Sequence, residues 1–106
     1  MILQLTPAKL TEMLARGERV YLLDVRQQWE RDLARLNDHA LIPLNELPER
    51  YREIDAQDAL VVCYCHHGVR SLSAAALLEA QGIRAASLRG GIDAWSLEID
   101  SNLPRY

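Results

Sequence analysis

One stretch near the middle of the chain limits the possible folds more than any other. Val61-Val62-Cys63-Tyr64 is a compact apolar run of β-branched and aromatic residues, which predicts a buried strand. Ser71 to Gln81 is strong helix-forming sequence, closed by Gly82 where a left-handed C-cap comes most easily. Only Cys65-His66-His67-Gly68-Val69-Arg70 separate the two. A loop running from a strand end into a helix start gathers unpaired backbone N–H groups and the positive end of the helix dipole. A cysteine at its mouth and an arginine at its far end make Cys65 the candidate nucleophile, because negative charge on sulfur is favoured there.

The rest of the chain alternates in the same way. Thr6-Pro7 opens a helix with a capping hydroxyl and a first-turn proline; Leu10, Met13 and Leu14 form its apolar stripe and Gly17 ends it. Val20 to Val25 is a nearly continuous apolar strand, the pattern of a parallel sheet covered on both faces. Asp24 and Arg26 stand at its C-terminal end. Gln27 to Leu36 is helix-prone, with Trp29, Leu33 and Leu36 on the expected buried side, and Asn37-Asp38 is a turn. Ala40-Leu41-Ile42 is a short strand stopped by Pro43. Leu44 to Ile54 holds a short helix with Asn45 as its cap and Pro48 in its first turn. After Gly82, Ile83 to Leu88 is the last strand, Arg89-Gly90-Gly91 a tight turn, and Ile92-Asp93-Ala94-Trp95 the start of a closing helix; Ser101 to Tyr106 is a tail. Trp95, like Trp29, is expected in the core, and the Ala74-Ala75-Ala76 run lets its helix approach the sheet. Strands alternating with helices imply an α/β layer structure with a mainly parallel sheet. Ligands of such sheets bind beyond the C-terminal strand ends, which is where Asp24, Arg26 and Cys65 all fall.

Size and charge narrow the functional classes. The 106 residues suit one domain, 1–106, able to bury a core without staples. A net charge of −3 does not suggest general nucleic-acid affinity. No apolar run reaches membrane-spanning length and the start lacks a signal-peptide pattern, so a cytoplasmic location is expected. Cys63 and Cys65 lie too close in a strand to staple a fold, and Cys63 is expected to be a small core residue. There is no metal spacing: His66 and His67 are neighbours expected to point apart, and His39 is remote in sequence.

Several motifs in this order resemble a family. Leu23-Asp24-Val25-Arg26 with Trp29-Glu30, then Ile42-Pro43-Leu44, then Cys65-His66-His67-Gly68-Val69-Arg70-Ser71, then Leu88-Arg89-Gly90-Gly91-Ile92-Asp93-Ala94-Trp95 together look like a single-domain rhodanese. They are also similar to the rhodanese domain appended to enzymes that adenylate sulfur-carrier proteins. The family often has His-Ile-Pro-Gly-Ala before the second strand, where this chain reads Leu36-Asn37-Asp38-His39-Ala40. The resemblance implies a three-layer α/β/α domain on a mainly parallel sheet of about five strands. It also implies a sulfurtransferase that needs no cofactor or metal, with a small sulfur donor such as thiosulfate and a sulfur-relay protein as a further partner.

In the implied mechanism, Cys65 attacks the outer sulfur of thiosulfate or of a persulfide, and an acceptor then removes that sulfur. The backbone of His66, His67, Gly68, Val69, Arg70 and Ser71 would cradle it, with Gly68 supplying a permissive backbone and Arg70 holding the anionic donor. Asp24 and Arg26 would brace the loop. Two other readings stand beside this one. A rhodanese-like binding module without catalysis would usually lack the cysteine. Cysteine-dependent phosphatases and arsenate reductases use Cys-x5-Arg, whereas four residues separate Cys65 from Arg70 here; the smaller ring suits one sulfur better than a four-oxygen anion.

Overall fold

The computed structural model describes all residues from Met1 to Tyr106. Its strands are β1 (Leu3–Leu5), β2 (Val20–Asp24), β3 (Ala40–Leu41), β4 (Leu60–Tyr64) and β5 (Ala85–Leu88); its helices are α1 (Pro7–Ala15), α2 (Gln28–Leu33), α3 (Leu47–Arg50), α4 (Arg70–Ala80) and α5 (Gly91–Glu98). The five strands form one parallel sheet in the order β1-β5-β4-β2-β3, so β4 lies at the centre. This is the α/β architecture expected from the alternating pattern. No helix is long and apolar enough to cross a membrane.

The period-2 alternation of the strands sorts their side chains between two cores. Leu22, Val62, Tyr64, Ala86 and Leu88 pack on one face with Leu10 and Met13 of α1 and Ile92 of α5. Leu23, Val61, Cys63 and Ala85 pack on the other with Leu47 of α3 and Ala74, Ala75 and Leu78 of α4. Cys65 continues the second set, so its side chain leaves the end of β4 on the α4 side. Small residues on α4 let that helix sit close to the sheet, as expected of the Ala74-Ala75-Ala76 run for its first two members, whereas Ala76 is exposed. Thr6 caps α1 through its Oγ1, which accepts from Lys9 N at 3.1 Å.

Several local expectations change. β1, unanticipated, is a three-residue edge strand paired with β5 in which only Leu5 is buried, too little apolar signal to read. Trp29 and Leu33 are 61% and 51% exposed, and the buried residue of α2 is Glu30. α2 spans less than two turns, the chain turns extended at Ala34, and Ala34 and Leu36 enter the core from there. Trp95 packs against the core as expected, partly buried. Asn45 does not cap a helix: the segment begins as a 3-10 turn, Leu44–Glu46, and Asn45 Oδ1 instead accepts from Gln27 Nε2 at 3.2 Å. Pro48 lies in the first turn of α3.

The two leucine environments predict opposite outcomes in denaturant. Leu78→Ala, at a side chain with no exposure, should cost about 2–5 kcal/mol. Leu33→Ala should change stability by no more than about 0.5 kcal/mol. A large loss for Leu33→Ala in urea titrations would show that α2 is packed the other way round.

Candidate active site

The Cys65 side chain ends inside the curl of its own loop. Its Sγ accepts from Gly68 N at 3.1 Å and Ser71 N at 3.3 Å, and lies 3.5 Å from Ser71 Oγ. Ser71 Oγ is in turn 2.7 Å from Ser87 Oγ, a buried hydroxyl of β5. Cys65 is 1% exposed, whereas Val69 in the same loop is 73% exposed. A reagent therefore meets the sulfur only through the loop. Of the six residues expected to form the cradle, only Gly68 and Ser71 bring an amide to the sulfur. The amides of His66, His67, Val69 and Arg70 have no hydrogen-bond acceptor in the protein.

The first turn of α5 explains this. Ile92 N donates to the Cys65 carbonyl at 2.9 Å and Asp93 N to the His66 carbonyl at 3.1 Å. In a planar trans peptide the C=O and the following N–H point in opposite directions. Tying both carbonyls to α5 therefore turns the His66 and His67 amides away from α5. Two glycines make this approach possible. Gly91 has φ +63°, and a Cβ there would overlap the carbonyl oxygens of Cys65 and His66. Gly68 has φ +96°, and a Cβ there would sit 2.9 Å from Gly90 N.

Charged residues ring the loop but are already paired. Arg70 forks onto Glu30, with Nη1–Oε2 2.7 Å and Nη2–Oε1 2.8 Å, and this bond raises the Arg70 pKa. Burial alone would push the Glu30 carboxyl up, but Arg70, the Gln27 amide and the Tyr106 hydroxyl hold it at about 2. The expected donor anchor is thus a cation tied to a buried carboxylate. Asp24 and Arg26 are both fully buried and paired through two bonds of 2.8 and 2.9 Å. They sit with Tyr64 on the face opposite Cys65: the Tyr64 hydroxyl lies 2.5 Å from Asp38 Oδ2 and 3.1 Å from Asp24 Oδ2. Arg26 also donates to Ala34 O at 2.8 Å and to the Tyr106 hydroxyl at 3.0 Å. Any bracing of the Cys65 loop by this pair runs through Tyr106 and Glu30, not by direct contact. The divergent turn is also anchored, since Arg31 forks onto Asp38 through two 2.8 Å bonds and His39 Nδ1 accepts from Leu22 N at 3.0 Å.

His66 and His67 do not point apart. Their rings stack with centroids 3.9 Å apart, and the Tyr106 ring stacks on the other side of His66 at 3.9 Å and 8°. The irregular loop backbone frees neighbouring side chains from the alternation of a strand. Burial, then His67, lowers the His66 pKa, so His66 is a neutral ring near pH 7. Tyr106 and Ser87 were not singled out from the sequence, and Glu30 entered only within the Trp29-Glu30 motif, with no role assigned. Glu30 carried a faint signal, three residues after Gln27 in a reciprocal cap. Tyr106 carried none, because its contacts are all distant in sequence. Cys63, as expected, is a fully buried core thiol, and burial pushes it up to about 12.

Comparison with known proteins agrees with the fold. The family model of the rhodanese-like domain matches residues 6–98. A sulfurtransferase of Allochromatium vinosum is 38% identical over 97 residues, which cover 91% of this chain and 90% of that protein. The adenylyltransferase and sulfurtransferase MOCS3-1 of Zea mays is 31% identical over 97 residues, but this chain spans only 21% of its length. The crystal structure of a rhodanese-related protein from Thermoplasma volcanium superposes with a TM-score of 0.82 at 28% identity, covering 92% of this chain and 93% of that one.

Two measurements check the site's framework. Gly91→Ala must both strain a positive φ and displace the Cys65 carbonyl, so it should lower stability by at least about 2 kcal/mol. Gly82→Ala, at φ +81° but in open space, should cost only about 1 kcal/mol. Equal costs would mean the turn does not hold the loop. The Glu30 carboxyl drops from an ordinary 4.5 to about 2 on folding. Its contribution to stability is therefore complete above the higher value and is lost as pH falls through the lower one. Glu30→Gln should flatten the acid limb of a stability–pH curve between those two values; an unaltered acid limb would place the acid sensitivity elsewhere.

Proposed function

The chain belongs to the rhodanese-like family, and from that membership we propose a sulfurtransferase that moves sulfane sulfur from thiosulfate or a persulfide donor to a thiophilic acceptor through a persulfide on Cys65. The observation that supports this best is the pairing of Cys65 Sγ with two loop amides while four more in the same short loop stand without acceptors. Such a cradle stabilises one diffuse negative charge on an atom bonded to Sγ, with no side-chain acid or base.

The chemistry balances without a cofactor. The Cys65 thiolate attacks the outer sulfur of thiosulfate; the donor's S–S bond breaks and sulfite leaves with its electron pair. The transferred sulfur stays on Cys65 as a persulfide anion. Cyanide, a thiol or an acceptor protein then attacks that outer sulfur, the Cys65–sulfur bond breaks, and the thiolate returns. This two-stroke cycle is ping-pong. Arg70, paired with Glu30, contributes positive charge near the loop and fixes the first turn of α4, whose Ser71 amide touches the sulfur. A phosphoryl reaction would need that arginine on a four-oxygen anion, whereas both of its terminal nitrogens lie on Glu30.

Acceptor identity follows the relatives. Rhodanese domains occur within adenylyltransferase and sulfurtransferase proteins, and a protein that takes sulfur onward is the natural second partner for this chain. The free thiols of Cys63 and Cys65 suit a reducing compartment such as the cytoplasm.

Cys65→Ser should abolish thiocyanate formation from thiosulfate and cyanide, while Cys63→Ser should retain most of it. Intact-mass spectrometry of the thiosulfate-treated protein should show a cyanide-reversible gain of one sulfur that Cys65→Ser lacks. Equal loss in both variants would misassign the cysteines, and phosphate-ester hydrolysis without sulfur loading would replace the proposal with the phosphatase.

A further inference from the structure

We propose that Tyr106 is a positioning residue that ties the two limbs of the Cys65 loop together and so sets the rate of sulfur loading without touching the sulfur. The inference rests on the sulfur-transfer reading of Cys65. Its basis is one juxtaposition. The Tyr106 ring lies flat on His66, the residue immediately after Cys65. Its hydroxyl donates to Glu30 Oε1 at 2.9 Å, and the same carboxylate holds Arg70, the residue immediately before Ser71. One side chain thereby reaches both ends of the arc whose Gly68 and Ser71 amides meet Sγ.

The rest of its surroundings fix Tyr106 in place. Arg26 Nη1 donates to its hydroxyl at 3.0 Å and Trp29 meets its ring edge-on at 6.2 Å. The backbone that delivers it is folded back after α5: Ser96 Oγ donates to Leu103 O at 2.6 Å, Leu103 packs against the core, and Arg105 pairs with Asp93 at 2.8 Å. Burial, offset by Arg26 and reinforced by Glu30, pushes the Tyr106 phenol up to about 12, so it remains a neutral donor near pH 7. The α5 amides hold the Cys65–His66 limb by its carbonyls. The Val69–Arg70 limb is held by backbone only within its own helix start, where Leu72 N donates to Val69 O at 3.2 Å, and its side-chain tie outside α4 is Arg70 on Glu30. Removing Tyr106 takes one donor from Glu30 and one wall from His66 together.

The cradle binds charge that reaches the outer sulfur as the donor bond breaks, so loosening it should lower the loading rate constant and spare donor affinity. The test is single-turnover loading of the full chain with thiosulfate, the rate constant expressed per titratable Cys65. Tyr106→Ala should lose about tenfold in that rate constant with apparent thiosulfate affinity within about twofold, and Tyr106→Phe, which keeps the stack but not the hydroxyl, should lose about two- to threefold. Amide exchange across residues 66–71 should accelerate in Tyr106→Ala. An unchanged per-site rate constant with fewer loadable molecules would reduce Tyr106 to a folding role and overturn the proposal. So would a loss carried entirely by affinity, since Tyr106 would then be contacting the donor. If Tyr106→Ala does not fold, Tyr106→Phe decides: a rate constant equal to that of the parent chain sinks the hydroxyl link. If the parent chain takes up no sulfur at Cys65, the sulfur-transfer reading falls and the catalytic claim with it, while amide exchange still reports separately on the tie.

Discussion

Two hydrogen bonds from the start of α5, to the carbonyls of Cys65 and His66, fix the backbone direction at the start of the Cys65 loop. A peptide plane held by its oxygen has its N–H turned the other way. Anchoring consecutive carbonyls on a neighbouring helix therefore turns the His66 and His67 amides away from α5, and the loop then curls so that the Gly68 and Ser71 amides reach Sγ. The sheet order serves this arrangement, because β5 lies beside β4 and delivers α5 to the loop. The glycine at the head of α5 is what lets two backbones approach so closely. The loop is organised by backbone direction, while the side-chain charge beside it is already compensated by Glu30.

Charge is managed by compensation. Arg26 with Asp24, Arg70 with Glu30 and Arg31 with Asp38 each hold a cation against an almost fully buried carboxylate. Burying one member alone would leave an uncompensated charge, a far larger penalty than the pair contributes in stability. The Tyr106 hydroxyl lies between two of these pairs and the Tyr64 hydroxyl between Asp24 and Asp38. The pairs thus form one connected network running from the divergent turn before β3 to the first turn of α4. Its members are fixed by mutual geometry, which is the use of buried ion pairs best supported here.

Much of this was legible in the sequence, and the failures have physical causes. The strand–loop–helix at residues 61–81 could be read because β-branched apolar residues, a glycine-containing loop and an alanine-rich helix each have a strong local preference that agrees with the fold. The placement of Cys65 at a C-terminal strand end followed from the parallel α/β pattern. The inward face of α2 could not be read, because six residues do not establish a helical stripe and Trp29 is intrinsically apolar. A carboxylate faces inward there because Arg70 and Tyr106, both distant in sequence, meet it together with the Gln27 amide of its own cap. The stacking of His67, His66 and Tyr106 was equally hidden, since no short-range pattern encodes a contact spanning forty residues. Local preference reveals scaffolds, whereas long-range polar partnerships reveal themselves only once the scaffold brings them together.

Cys63 lies on β4 and Cys65 one residue past its end, two positions apart and so about 6.6–6.8 Å along extended backbone, at the outer limit of what a disulfide can span. The inner thiol is also sealed in the core and resists ionisation. A sulfur atom carried by Cys65 therefore has no internal destination: it cannot be discharged as hydrosulfide by forming a bridge within the chain. On the proposed sulfur-transfer reading, its residence time would be governed by encounter with a second molecule, making the loaded chain a courier whose cargo waits for an addressee.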